Sequence, residues 1–201
     1  MNGHVGGSGP CIGALELASI AAGFETTDAL RKEAQVRIAV ARPVSPGKYV
    51  VIFSGPVEET VSAMRRGKQV AADTLLDSLF IPNVEPTLLA LVAGVEPSDV
   101  PVRLDAVGVI ETFSIASTIR AADIASKTAS LRLVGLGLAA GLGGKSYVTF
   151  TGEVSDVSSA VDAGSADAEA AGMLVRRVVI PRPHADMNAI LGGDAGGTGK
   201  L

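Results

Sequence analysis

The stretch with the strongest claim to chemistry is Ala139-Ala140-Gly141-Leu142-Gly143-Gly144-Lys145-Ser146. It is one residue short of the phosphate-binding pattern Gly-x-x-x-x-Gly-Lys-Ser/Thr, with Ala139 where the first glycine belongs. That pattern works only if the loop opens a helix whose N-terminal N–H groups face the phosphate. Here the next residues are Ser146-Tyr147-Val148-Thr149-Phe150-Thr151, a β-rich run closed by Gly152. A nucleotide-binding enzyme is thus the sharpest rival reading, and it fails on the element that must follow the loop. The remaining reactive groups are sparse. Cys11 is the single cysteine, which allows no internal disulfide and no metal framework. His4 sits in a glycine-rich N-terminus, and His184 ends the run Pro181-Arg182-Pro183-His184. His184 reads as a packing or interface residue, since no nucleophile or acid accompanies it at a readable spacing. No catalytic residue, metal site or cofactor is assigned, and the chain reads as a non-enzyme.

Composition narrows the remaining options. The 201 residues are 47% hydrophobic and only 19% charged, so a core is assured and part of the surface is expected to be hidden in an assembly. The net charge of −4 argues against a partner bound through nucleic-acid phosphates. With 3% aromatic residues and no tryptophan, base-stacking platforms are also excluded. Met1–Pro10 lacks the features of a signal peptide, and Leu131–Leu142 is too short to span a membrane. The expectation is a soluble cytoplasmic protein with no membrane partner.

A duplication organises the elements that must position these residues. Ile12-Gly13-Ala14-Leu15-Glu16 matches Val107-Gly108-Val109-Ile110-Glu111 at an offset of 95. The match continues through Ser19/Ser114, Ile20/Ile115, Asp28/Asp123, Lys32/Lys127 and Arg37/Arg132. The offset then grows to 97 at Lys48/Lys145, Gly55/Gly152 and Val57/Val154, and to 99 at Ile81-Pro82/Ile180-Pro181. Drift confined to loops is the signature of two duplicated domains. The expected division is 11–93, a linker over Gly94–Leu104 holding Pro97 and Pro101, 105–191, and a disordered tail over 192–201.

Each copy predicts the same order. A strand (Ile12–Leu17; Ala106–Thr112) precedes a helix of about 12 residues that ends near Gln35 or Ser130. Two strands follow, over Arg37–Arg42 and Tyr49–Ser54, or Arg132–Gly137 and Ser146–Thr151. A long amphipathic helix is expected over Val57 to about Asp77, or Val154 to about Met173. A last strand closes at Ile81-Pro82 or Ile180-Pro181. The fold class is α+β, two tandem ferredoxin-like β-α-β-β-α-β units.

Val107-Gly108-Val109-Ile110-Glu111-Thr112, Ala121-Ala122-Asp123 with Lys127, Gly152-Glu153-Val154 and Val179-Ile180-Pro181-Arg182-Pro183-His184 together resemble the bacterial microcompartment (BMC) domain. The first repeat resembles it more loosely. Single-domain members of that family are hexamers. Two fused domains imply a homotrimer with pseudo-sixfold symmetry, of the tandem BMC-T class and its unpermuted branch. Such tiles form the facets of a shell in the cytoplasm and contact other shell proteins laterally, while small metabolites cross a central pore.

The resemblance also implies residue roles. The turn between the second and third strands is the family's pore loop. It is Ser45-Pro46-Gly47 with Lys48 in the first copy, and Gly141-Leu142-Gly143-Gly144 with Lys145 in the second. Glycines permit close backbone approach and φ > 0, and the two lysines could bias the hole toward anions. Some relatives hold an iron–sulfur cluster on a cysteine here; neither loop has one, so no cluster is expected. Lys32 and Lys127 match the family's edge lysine, and Arg182 its edge arginine. Asn83 stands at the arginine's place in the first copy, and His184 lies beside it in the second. A ferredoxin-like small-molecule sensor is the alternative; it predicts a discrete oligomer with a saturable ligand and no sheets.

Overall fold

A computed structural model describes residues 10–95, 104–139 and 141–192. His4, most of the linker with Pro97 and Pro101, Ala140 and the tail after Gly192 lie outside the described residues, and Gly192, expected in the tail, ends a helix. The first repeat contains β1 (Cys11–Leu17), α1 (Ile20–Glu33), β2 (Arg37–Val44), β3 (Lys48–Gly55), α2 (Val57–Ala71), β4 (Leu75–Ile81) and α3 (Pro86–Val92). The second contains β5 (Ala106–Thr112), α4 (Ile115–Thr128), β6 (Arg132–Leu138), β7 (Ser146–Gly152), α5 (Val154–Ala170), β8 (Leu174–Pro181) and α6 (Met187–Gly192). The strand orders are β2-β3-β1-β4 and β6-β7-β5-β8, antiparallel throughout. This is the split βαβ arrangement, present twice.

The duplication extends to backbone detail. The register shifts between Glu16 and Leu17 in the first sheet and between Glu111 and Thr112 in the second, 95 residues on. Ser19 and Ser114 cap α1 and α4 alike, each Oγ accepting from the N–H three residues on at 3.2 Å. A Cβ at Gly13 would lie 2.6 Å from the Phe53 ring, and one at Gly108 2.3 Å from the Phe150 ring. The same close approach of aromatic ring to strand thus recurs under the helices of both repeats.

Two features differ from the sequence reading. The helix expected to reach Asp77 ends at Ala71, where Ala72 takes φ 46° and a single 3-10 turn over Ala72–Thr74 follows. Pairing with β1 claims the next residues for β4, and the Ala18 N–H donates to Thr74 O at 2.8 Å. Asp77 is therefore a strand residue. Each repeat also carries a short helix after its last strand, α3 or α6, too short to show a helical period.

Each sheet has one face under its own two helices. On that side of the first sheet Leu15, Leu17, Phe53, Leu30 and Met64 form one core. The opposite face carries Ile12, Ala14, Val50, Ile52, Leu79 and Ile81, and these join a second core with Ile115, Ala116 and Ile119 of α4. Helix α4 is thus sandwiched between its own sheet and the open face of the first one. Its buried side includes nine residues, against three for α1.

Candidate functional site

The two hairpin turns lie side by side. A Cβ on Gly144 would fall 2.8 Å from Pro46 Cδ and 3.3 Å from Ser45 O. The Arg42 guanidinium donates to Leu138 O at 3.3 Å, tying β2 to β6 just below the turns. Left-handed backbone shapes both loops: Gly47 has φ 86°, and Gly141, Gly143 and Gly144 have 70°, 61° and 87°. The Ser45–Pro46 peptide is cis. Pro46, Gly47, Gly141, Leu142 and Gly143 are exposed, Ser45 is half-buried and Gly144 is buried against the first loop. The phosphate-loop resemblance ends as expected, since Lys145 and Ser146 run into strand β7 rather than a helix.

The lysines that follow the loops point away from a free role. Lys48 Nζ pairs with Glu16 Oε1 at 2.9 Å, and the Glu16 side chain is 2% exposed. The other carboxylate oxygen, Oε2, accepts the Ile115 N–H at 3.0 Å. Glu16 thus links the first sheet to the first turn of α4, where a negative charge suits the helix dipole. In the second repeat Lys145 Nζ pairs with Glu111 at 3.2 Å, and here the side chains are 44% and 32% exposed. The positive charge assigned to the loops is met by a carboxylate in both copies.

Around Glu16 the intrachain seam is completed by polar contacts along α4. Ser114 Oγ donates to Asp77 Oδ2, and Arg120 Nη2 donates to Ser78 O at 3.4 Å. Asp123 Oδ1 accepts the Glu85 N–H at 3.1 Å while Oδ2 holds Lys127 Nζ at 2.7 Å. The lysine of this last pair has a role in the sequence reading, while its acid enters only as a mark of the repeat and of the family resemblance. Glu16, Glu111 and Asp123 had a signal available: an acidic residue repeated at offset 95 within an apolar segment. The partners of Glu16 and Glu111 could not be read, because they lie on another strand or in the other repeat; Asp123 pairs with Lys127 one turn along the same helix, and only its bond to the Glu85 N–H crosses between repeats.

The edge candidates sit as follows. Lys32 is exposed and pairs with Asp28 at 2.5 Å, and Lys127 repeats that i,i+4 pair with Asp123. Asn83 and Arg182 occupy the same turn after β4 and β8, both left-handed, with φ 58° and 48°. Asparagine adopts that conformation readily, whereas arginine is held there against a cost of roughly 1 kcal/mol. The Arg182 N–H donates to Asp105 O at 2.6 Å and its side chain is exposed. His184 is exposed beside Asp186, with Nδ1 accepting the Asp186 N–H at 3.3 Å. Among the described residues no group of three His, Cys, Asp or Glu could hold a metal ion, and no helix is long and apolar enough to cross a membrane.

Comparison with known proteins places this architecture. The family model described as the BMC domain matches twice, over residues 11–84 and 106–183. The bacterial microcompartment shell protein PduT of Citrobacter freundii is 43% identical over 176 residues, 88% of this chain and 94% of PduT. The shell protein EutM of Salmonella typhimurium is 38% identical over 87 residues, 43% of this chain and 88% of its own length, as a single-domain relative should be. A crystal structure of a microcompartments protein from Desulfitobacterium hafniense DCB superposes with a TM-score of 0.81 at 46% identity, covering 90% of this chain and 98% of that one. With two complete copies of the domain and shell proteins as its relatives, the chain belongs to the BMC domain family of bacterial microcompartment shell proteins, in tandem-domain form.

Proposed function

We propose that the chain is a facet tile of the shell: a homotrimer imitating a hexamer, with a central hole for metabolites. The observation that carries this reading is the asymmetry of the two sheets' open faces. The first is covered by α4 of the same chain. The equivalent face of the second carries Val109, Val178 and Ile180, only partly buried, and the face of α1 that corresponds to α4 shows Ile20 and Phe24 exposed. Each chain thus ends in a helix face and a sheet face that match each other as α4 matches the first sheet. Repeating the contact head to tail generates a ring, and three two-domain chains close at the angle of a hexamer.

Six turns then surround the axis, three of each kind, since the turns of one chain already touch. The proposed lining is Ser45, Pro46 and Gly47 with Gly141, Leu142, Gly143 and Gly144. Lys48 and Lys145 stand at the loop bases with their charge met by Glu16 and Glu111. Such a hole offers glycine backbone rather than free ammonium groups. The outer rim is proposed to carry Lys32, Lys127, Arg182, Asn83 and His184, which meet neighbouring tiles, other shell proteins among them. An Arg fork supplies several donors to a neighbour's carbonyls. In this role the protein is a passive wall and performs no reaction.

Native mass of the purified chain tests the reading. The expected particle is a trimer of about 61 kDa, three chains of 20.3 kDa, or sheets built from it. A monomer or dimer at micromolar concentration would remove the ring, and the pore and rim assignments with it. A saturable small-molecule ligand on a discrete oligomer without sheets would favour the sensor alternative.

A further inference from the structure

The two kinds of seam in such a ring differ in charge. We propose that the seam between chains inverts the charge order of the seam within the chain, with Glu25 of one chain facing Arg176 of the next. The inference rests on the trimeric ring and goes beyond it by naming the ionic pair that closes the ring and gives its partner face a sign.

The intrachain seam supplies the template. On its sheet side Glu16 and Asp77 are directly opposite each other on β1 and β4, on the face that α4 covers, and Lys48 pairs with Glu16. These three groups sum to one negative charge. The helix side answers with Arg120, whose guanidinium reaches Ser78 O on the outer edge of β4. The signs of the two sides are opposite, as a partly desolvated contact requires.

The duplication maps each group onto its counterpart. Glu16 becomes Glu111, Lys48 becomes Lys145 and Asp77 becomes Arg176. Glu111 and Arg176 are again directly opposite each other, on β5 and β8, and Lys145 again pairs with the glutamate. This triad sums to one positive charge. On the helix side Arg120 becomes Glu25, exposed on the same stripe of α1 as Ile20, Phe24 and Asp28. Asp77 and Arg120 lie on the two sides of the intrachain contact, Asp77 taking the Ser114 hydroxyl and Arg120 the Ser78 carbonyl, and their counterparts have both changed sign. A single change would have set like charges against each other; the double change keeps the contact attractive.

The apolar part of the stripe fits the same occupant. Ile115 and Ile119 are fully buried against the first sheet, while their counterparts Ile20 and Phe24 are 38% and 61% exposed. Ser19 caps α1 as Ser114 caps α4, leaving the Ile20 N–H poised for a carboxylate as the Ile115 N–H is for Glu16. Glu111, on the neighbouring chain, is that carboxylate. The consequence is directional. The positive sheet face of the second repeat favours the acidic α1 over the basic α4.

Charge-reversal variants of the full chain test the pairing by sedimentation equilibrium, with circular dichroism to check folding. Both positions are exposed, so the variants retain the parent's secondary structure. Glu25→Arg and Arg176→Glu are each expected to raise the concentration of half-dissociation by about tenfold or more, and the double variant to return close to the parent. A parent chain that forms no trimer would overturn the ring itself. A trimeric parent whose single variants associate equally well would overturn the charge-inverted seam and leave the ring standing. Weakened single variants without recovery in the double variant would likewise overturn the Glu25–Arg176 pair.

Discussion

Helices α1 and α4 descend from the same segment, share their length and cap, and yet live in different solvents. Phe24 of α1 is 61% exposed where Ile119 of α4 is 0% exposed. Glu111 and its lysine are 32% and 44% exposed where Glu16 and its lysine are 2% and 24%. One helix has found its sheet by being on the same chain, and the other still presents the surface for one. In the proposed ring the energy of one seam goes into folding and that of its counterpart into assembly, according to where the covalent link falls.

That contrast can be broken at several points. Ile119→Ala should cost about 3 kcal/mol of unfolding free energy in chemical denaturation, as for a buried aliphatic truncation. Phe24→Ala should cost the isolated chain about 1 kcal/mol, its ring meeting Tyr49 at 5.1 Å, and appear mainly as weakened association. Equal losses in unfolding would erase the distinction between the two helices. The lysines come next. Lys48→Ala strands a buried carboxylate and should cost about 2 kcal/mol, reduced from the fully buried case by the residual exposure of Lys48. Lys145→Ala should cost under ~1 kcal/mol in the chain alone. Comparable urea midpoint shifts for the two would contradict the sealed character of the Glu16 site.

Cutting Gly141–Gly144 sharpens the loop assignment. The shortened chain is expected to keep the oligomeric state of the parent while the permeability of reconstituted shells, or the hole's diameter in electron micrographs, changes. A collapsed aggregate would instead assign the loop to folding. The last test is at the rim. Lys127→Ala should cost the chain about 1 kcal/mol, because its partner Asp123 is only 8% exposed and keeps just the Glu85 N–H, and should weaken growth of sheets seen by electron microscopy. Sheets forming at the parent's concentration would remove Lys127 from the rim.

The fold was legible because periodicity and duplication both survive in the sequence. Matches such as Gly13/Gly108 and Ser19/Ser114 pin two copies of one unit, and strand limits fall within a residue or two of those read. The overrun of α2 toward Asp77 has a local cause. Ala71, Ala72 and Asp73 carry no breaker, and the turn at Ala72 is imposed by the pairing of β4 with β1. The loops were legible as glycine-rich turns, but the destination of Lys48 was not. Glu16 lies 32 residues away, on the strand directly paired with β3 and facing Lys48's side, and only the folded register brings them together. Likewise the meaning of Glu25 and Arg176 is invisible until Arg120 and Asp77 are seen on the two sides of one contact.

The burial of α4 in the first sheet also changes the arithmetic of assembly. A ring of six separate domains requires six bodies to meet, so its formation falls off steeply as the protein becomes scarce. With α4 docked in cis, half of the contacts are made during folding at the high local concentration set by the connecting chain. In the proposed trimer only three bodies remain to be gathered. A tile of that kind would persist at concentrations where a hexamer of single domains falls apart.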